Sequence, residues 1–324
     1  VTAELTCREA IAQAIADELA SDPDVILFGE DVGAAGGVFK STVGLFERFG
    51  PERVRDTPIS EQAIVGTAIG AAMMGLRPIA EIMFADFAGV CFDQLANQLA
   101  KYRYLTGGQA CLPVTVRMAN GAGAGFGAQH SQATENWFLN VPGLKIAVPG
   151  TVEDCYGLLR AAVRDDNPVL VFEHKNLLGL KGTVKKGPYR LGEASVVRPG
   201  NDVTVVATQQ MRHCALEAAD LLAGDGIEIE VIDPRTLVPF DDERVAESLA
   251  KTARLLVVQE GPPCGGWGAS LIARMTSNHF QCFDVAPRLL ASAETPVPFA
   301  ARLEEAWMPG CADVVNAARE LVAS

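Results

Sequence analysis

The chain has 324 residues, 49% hydrophobic and 21% charged, with 31 Gly and 18 Pro spread throughout. That length points to two domains, and the composition suits a packed globular protein, which excludes disordered and collagen-like classes. A formal net charge of −13 argues against nucleic acid and anionic membrane as partners, since both reward clustered Lys and Arg.

Residues 1–20 lack a basic stretch followed by an apolar one, so no secretory signal is predicted. No apolar run reaches the ~18 residues of a membrane span. Thr6 to Leu19 carries apolar residues at helical spacing. Thr6 stands where a helix N-cap belongs, and Glu9, three residues on, completes a capping box. Val25 to Phe28 reads as a short buried strand ending at Gly29-Glu30-Asp31. Ile64 to Met74 is a helix of small residues, which must pack closely against a neighbour. Pro78 to Phe84 is a strand, Phe92 to Tyr104 an amphipathic helix, and Pro113 to Met118 a β-branched strand.

Beyond a long glycine-rich loop, Lys145 to Val148 is a strand, Thr151 to Val163 a helix capped by Thr151 or Asp154, and Val169 to Glu173 a strand. Strands that are nearly continuous apolar runs, alternating with helices, predict a doubly wound parallel sheet covered on both faces. From Lys175 to Pro199 the periodicity lapses. It restarts with strands at Asp202–Ala207, Glu228–Ile232 and Arg254–Gln259, alternating with helices at Cys214–Ala223, Asp241–Lys251 and Gly268–Ser277. The expected organisation is a first α/β domain over 1–186, a linker over 187–199 and a second α/β domain over 200–324.

The eight cysteines are scattered and form no C-x-x-C pair, so neither zinc nor a disulfide framework is signalled. Free thiols of this kind suit a reducing cytoplasm, the expected location. No P-loop, H-E-x-x-H or G-x-S-x-G is present. The dense polar–glycine cluster runs from Asn120 to Gln132. Its glycines permit close backbone approach or positive φ. As a dinucleotide fingerprint it is weak, because no apolar-periodic helix follows it directly. His130, at its end, is either an ordinary loop residue or an imidazole poised for proton transfer. Glu61, after the Asp56–Ser60 turn, is either a dipole-stabilised acid at a helix start or a catalytic carboxyl.

Taken together, several segments resemble one family. Phe28-Gly-Glu-Asp31, Thr57-Pro-Ile-Ser-Glu61, Gly75-Leu-Arg-Pro-Ile79 with Glu81, Phe92-Asp-Gln94, Lys101-Tyr-Arg-Tyr104, Gly107-Gly108, His130-Ser-Gln132, Val141-Pro-Gly-Leu-Lys145 and Val231-Ile-Asp-Pro-Arg-Thr-Leu237 occur in this order. The series is similar to the beta subunits of the decarboxylase components of pyruvate, acetoin and branched-chain 2-oxoacid dehydrogenases, which are transketolase-like enzymes. It spans about Thr6 to Pro309, and Asn120 to Gln132 looks closer to the pyruvate and acetoin types.

The resemblance implies a pyrimidine-binding first domain and a transketolase C-terminal-like second domain that mediates assembly. It implies thiamine diphosphate shared with an alpha subunit, which holds the diphosphate and its Mg2+, in an α2β2 heterotetramer that passes an acyl group to a lipoyl-bearing acyltransferase. Glu61 matches the carboxyl that hydrogen-bonds the pyrimidine and favours its imino form, so that the cofactor serves as its own base. Ile59, Met83 and Phe87 match the apolar pyrimidine pocket, and His130 the active-site histidine. Val114, Ala162, Asp165 and Asn167 match a loop that holds a potassium ion through oxygen ligands; an ordinary helix-to-strand turn is the other reading.

The chain departs from the pattern at Asn176-Leu-Leu-Gly-Leu180, at Thr208-Gln-Gln-Met211 and at Ala269-Ser270, which leaves substrate and partner open. The alternatives are a split transketolase-like or acyloin-forming enzyme without lipoyl transfer, a non-catalytic scaffold, and, more distantly, a nicotinamide-dependent dehydrogenase.

Overall fold

A computed structural model describes residues 4–185 and 187–324. They fall into two compact units, Val1–Gly121 with Trp137–Leu191, and Ala122–Asn136 with Gly192–Ser324. The segment 122–136, inserted in the sequence of the first unit, thus makes its contacts within the second.

In chain order the first unit contains β1 (Glu4–Thr6), α1 (Cys7–Ser21), β2 (Val25–Gly29), α2 (Leu45–Phe49), β3 (Val54–Asp56), α3 (Glu61–Met73) and β4 (Arg77–Phe84). It continues with α4 (Tyr102–Leu105), β5 (Thr115–Asn120), β6 (Lys145–Ala147), α5 (Val152–Arg164), β7 (Val169–His174) and β8 (Lys181–Thr183). Six strands pair in the order β6-β7-β5-β4-β2-β3, every pair parallel, while β1 and β8 form a separate antiparallel pair. The expected parallel architecture is present. Its chain path moves from β2 outward to β3, then returns to β4 on the other side of β2. That reversal creates a topological switch point at the carboxyl ends of β2 and β4, where sheets of this type bind ligands.

The helix α1 starts as its sequence dictates. The Thr6 hydroxyl accepts from Glu9 N–H, and the Glu9 carboxylate accepts from Thr6 N–H at 2.7 Å. Its buried face, including Ala10, Ile11, Ala14 and Ile15, packs with Tyr156 and Leu159 of α5 over the sheet. Each fully buried Ile or Leu contributes roughly 1.5–3 kcal/mol of transfer free energy. The buried Glu18 carboxylate at the edge of this layer is paired with Arg160 at 2.6 Å and with Arg164.

The helix expected over Phe92–Tyr104 takes a different form. Residues Gln94–Leu99 make a π-helical segment, followed by the short α4. Asp93 accepts from the side-chain amides of both Asn97 and Gln98, four and five residues on. Ala100 N–H donates to Leu95 O, so both side chains and backbone support the wider turn. Such segments recur at functional sites.

The second unit contains β9 (Ser195–Arg198), β10 (Val203–Ala207), α6 (Gln209–Gly224), β11 (Ile229–Asp233), β12 (Thr236–Val238), α7 (Asp242–Thr252), β13 (Leu255–Val258), α8 (Trp267–His279), β14 (Arg288–Leu290), α9 (Ala301–Trp307) and α10 (Cys311–Ala323). Its sheet runs β14-β13-β10-β11-β9, with β9 antiparallel on the edge and the other pairs parallel. β10 is buried along its whole length, and α6 and α10 cover one face through Met211, Ala215, Ala218, Val314 and Leu321. β9 lies within the stretch read as lacking periodicity, and α6 begins five residues before Cys214. Among the described residues no helix is long and apolar enough to cross a membrane.

Candidate active site

Glu61 is the first residue of α3 and is buried. Ser60 at the N-cap makes no side-chain capping bond. Buried near it, at the carboxyl end of β2, is Glu30. Burial raises the Glu30 pKa above the ordinary carboxylate range, and the Glu61 and Asp31 charges raise it further. The Cys91 thiol responds to the same charge, being pushed up to about 12 by burial and then by Glu61. Asp31 adopts φ +54, a left-handed conformation that costs an L residue energy and clusters at functional sites.

This end of the sheet holds polar atoms that the chain itself does not satisfy. Glu30 Oε1 and Thr57 Oγ1 are buried without hydrogen-bond partners among the described residues, as is Gln94 Oε1 in the π-helical segment. Each such atom costs about 1–3 kcal/mol, so the arrangement suits a ligand bearing complementary donors. Apolar side chains lie in the same segments. Ile59 is 83% exposed, Met83 and Phe87 are half-buried, and the Phe87 ring meets Phe84 edge-on at 5.5 Å. Apolar surface beside unsatisfied carboxylate and hydroxyl oxygens fits a flat, nitrogen-rich ring such as an aminopyrimidine.

Beneath this edge lies a buried ionic cluster. Arg117, 2% exposed, donates through Nε and Nη2 to Glu173 at 3.0 and 2.7 Å, to Ser41 Oγ at 2.8 Å, and to Glu81. Burial opposes the guanidinium charge, but Glu173 and Glu81 outweigh it and hold its pKa above the usual range. Burial raises the Glu81 carboxyl; Arg117 opposes that shift, while Glu173 and Glu30 add to it. The Ser41 bond ties the 31–44 loop to β5.

His130 belongs to the second unit. It is half-buried, and its backbone N–H donates to Gly127 O at 3.3 Å. The loop before it has positive φ at Gly121, Gly123, Gly125 and Gly127, one of the two roles its glycines permitted. Its amides are not left open for a phosphate. Glu304 accepts from Gly123 N–H at 2.7 Å and Gly125 N–H at 3.0 Å, and Glu260 from Ala122 N–H at 2.5 Å.

The turn nominated for potassium is already rich in protein cations. Asp165 pairs with Lys145 and accepts from both Asn167 nitrogens. Arg103 donates to Asn167 Oδ1 at 2.9 Å, Arg77 to Asp165 O at 3.3 Å. Ala162 O accepts from Asp165 N–H, and Val114 O from Val169 N–H. Among the described residues no group of three or more His, Cys, Asp or Glu is placed to hold a metal. The backbone carbonyls of this turn each have a second lone pair through which a cation could be held.

Sequence reasoning singled out Glu61 and His130 but assigned nothing to Glu30, Glu260 or Glu304. Glu30 had two signals, its place at the end of the first buried strand and its presence in the Phe28-Gly-Glu-Asp31 segment. The other two had none, because their partners are backbone amides 138 and 181 residues away.

Known proteins match this architecture along the chain. Residues 3–181 match the transketolase pyrimidine-binding domain, and 192–314 the transketolase C-terminal domain. An acetoin:2,6-dichlorophenolindophenol oxidoreductase beta subunit of Cupriavidus necator is 46% identical, covering 98% of this chain and 97% of its own length. A pyruvate dehydrogenase E1 beta subunit of Rickettsia felis is 41% identical, covering 98% of each. A solved split-gene transketolase, an inactive beta4 tetramer, superposes with a TM-score of 0.81 over 98% of each chain at 24% identity, a likeness of fold. The chain therefore belongs to the family of pyruvate and acetoin dehydrogenase E1 beta subunits, a transketolase-type pyrimidine-binding domain followed by a transketolase C-terminal domain.

Proposed function

We propose that this chain is the beta subunit of a thiamine-diphosphate-dependent acetoin or pyruvate-type 2-oxoacid dehydrogenase, active in an α2β2 heterotetramer. The alpha subunit holds the diphosphate and Mg2+, and the acyl product passes to a lipoyl-bearing acyltransferase. The carrying observation is the buried Glu61 at the start of α3, beside Glu30, whose Oε1 has no partner among the described residues, at the sheet's switch point. Bound thiamine diphosphate supplies the electron sink that carbon–carbon cleavage next to a carbonyl requires. The chain supplies binding and proton control. Ile59, Met83 and Phe87 would line the pyrimidine, and the Glu61 carboxyl would hydrogen-bond its ring nitrogen and favour the imino form. Burial raises the Glu30 pKa, which suits that carboxyl to hold a proton beside Glu61. His130 serves proton transfer to the substrate or to the acyl acceptor. A potassium ion on the 162–167 carbonyls has a structural part, and the assembly is placed in the cytoplasm, in keeping with eight unbridged cysteines.

Reconstitution with the alpha subunit tests this reading. Reduction of 2,6-dichlorophenolindophenol is followed with acetoin and with pyruvate. Acetoin comes first, since the relatives named for it are 46% and 43% identical against 40–41% for those named for pyruvate. Glu61→Gln, close to isosteric, is expected to lower turnover by about 10²–10⁴-fold and to weaken thiamine diphosphate binding measured by calorimetry. Full turnover in Glu61→Gln refutes the assignment. Carbon–carbon bond formation without acylation of a lipoyl domain favours the split-transketolase alternative.

A further inference from the structure

The glycine-rich loop before His130 is shaped by two buried acids of the second unit. Four glycines in alternate positions hold positive φ, from Gly121 at +89° to Gly127 at +73°. Alternation of this kind turns successive amides toward one side, the concave arrangement that ordinarily collects an anion. Here the anion is built in. Glu304 of α9, 3% exposed, receives Gly123 N–H on Oε1 and Gly125 N–H on Oε2, at 2.7 and 3.0 Å. Glu260, 7% exposed, receives Ala122 N–H at 2.5 Å. Each is a charge-assisted bond, about twice as strong as a neutral one. Ala122 also packs with Val297 and Trp307 at the base of the loop, and the Phe299 ring lies against Gly127. The loop is therefore held at both ends of its glycine run, and His130 follows three residues after Gly127, bonded back to it.

We propose that Glu304, with Glu260 beside it, is a positioning residue that fixes the imidazole of His130 for the reaction, although it touches neither substrate nor cofactor. The inference rests on the catalytic reading of His130. A carboxylate is required at position 304 because both of its oxygens must accept. An amide there turns an NH2 group toward one of the two N–H donors, which loses one bond and sets donor against donor.

The assembled enzyme with its alpha subunit is the material to test. His130→Ala, Glu304→Gln and the double variant are compared, with Val314→Ala as a control that loosens the α6–α10 core of the same unit away from the loop. Glu304→Gln is expected to lower kcat about tenfold or more, the scale of a misplaced catalytic group, with KM changed less than about threefold. The double variant should be no slower than His130→Ala alone, because one residue acts through the other. Val314→Ala should lower the melting temperature with kcat kept. Hydrogen exchange gives a readout independent of turnover. Amides 122–125 should exchange at least about tenfold faster in Glu304→Gln, while α6 and α10 are unchanged. Wild-type kcat in Glu304→Gln, multiplied losses in the double variant, or unaltered exchange at 122–125 each overturn the inference. Wild-type turnover in His130→Ala is a different failure, which removes the catalytic reading of His130 and leaves the exchange result to judge the clamp.

Discussion

Glu61 and Glu304 are both buried carboxylates in the first turn of a helix, yet they are built in opposite ways. In the second unit each Glu304 oxygen meets a backbone amide of the chain. In the first unit Glu61 faces another acid, Glu30, whose Oε1 has no partner among the described residues and whose pKa is raised by burial and by Glu61. Desolvating a carboxylate is costly unless donors replace the lost water. A saturated carboxylate holds a shape and stabilises the folded chain. A buried carboxylate oxygen without a donor, as at Glu30 Oε1 among the described residues, costs the chain stability, and a bound group that donates to it would offset that cost. The contrast separates a site from a scaffold more sharply than burial does.

The Arg117 cluster stands between these cases and gives the largest expected effect. Glu81 and Glu173 are satisfied, but by one shared guanidinium. Arg117→Met leaves two buried carboxylates facing each other and is expected to cost about 3–5 kcal/mol, read as a fall in the urea midpoint of unfolding. A cost near zero removes the claim that these acids depend on a charge partner. The whole edge of the sheet would then tolerate unpaired acids, and Glu30 would lose its distinction.

The next effect separates the two regions directly. Glu304→Ala deprives Gly123 and Gly125 of their acceptor and is expected to cost about 1–3 kcal/mol. Glu30→Gln should move the other way, a gain of under about 1 kcal/mol, the scale of one partly solvated charge pair. Chemical denaturation of the two variants side by side checks the signs. Two losses of equal size erase the distinction between a saturated and an unsatisfied acid.

These regions also differ in how much of them the sequence displays. The capping box of Thr6 and Glu9, the strands at Val25 and Pro78 and the helix containing Glu61 are local patterns, and they form where the pattern lies. The place of Glu61 at a helix start is legible because the turn before it and the small-residue helix after it are both local patterns. β3, β9 and β14 are three or four residues long, too short for a period, and exist only through pairing with distant strands. The π-helical segment after Asp93 rests on a choice between i+4 and i+5 bonds that apolar spacing does not encode. The Glu304 clamp is invisible for the same reason as β9. Its acceptor is a side chain near the end of the chain, and its donors are amides that every residue but proline carries.

The smallest expected effect has the most specific signature, because it depends on pH. A Glu30 pKa raised in the folded chain means that the folded state binds this proton more tightly than the unfolded state does. Its favourable contribution is therefore complete below the unfolded value, about 4.3, and is lost as pH rises through the folded value. The amide introduced by Glu30→Gln has no proton to lose. The stability of Glu30→Gln relative to the natural chain should thus be near zero at the acid end, grow as pH rises from about 4, and level off once Glu30 is fully ionised. Paired unfolding titrations across that range measure the difference directly. A difference that is flat with pH shows Glu30 to be as well solvated as a surface acid, and one that shrinks as pH rises shows a carboxylate that the fold stabilises. In either case Glu30 and Glu61 no longer mark a place waiting for a ring, and the carboxyl end of β2 loses its claim to the chemistry.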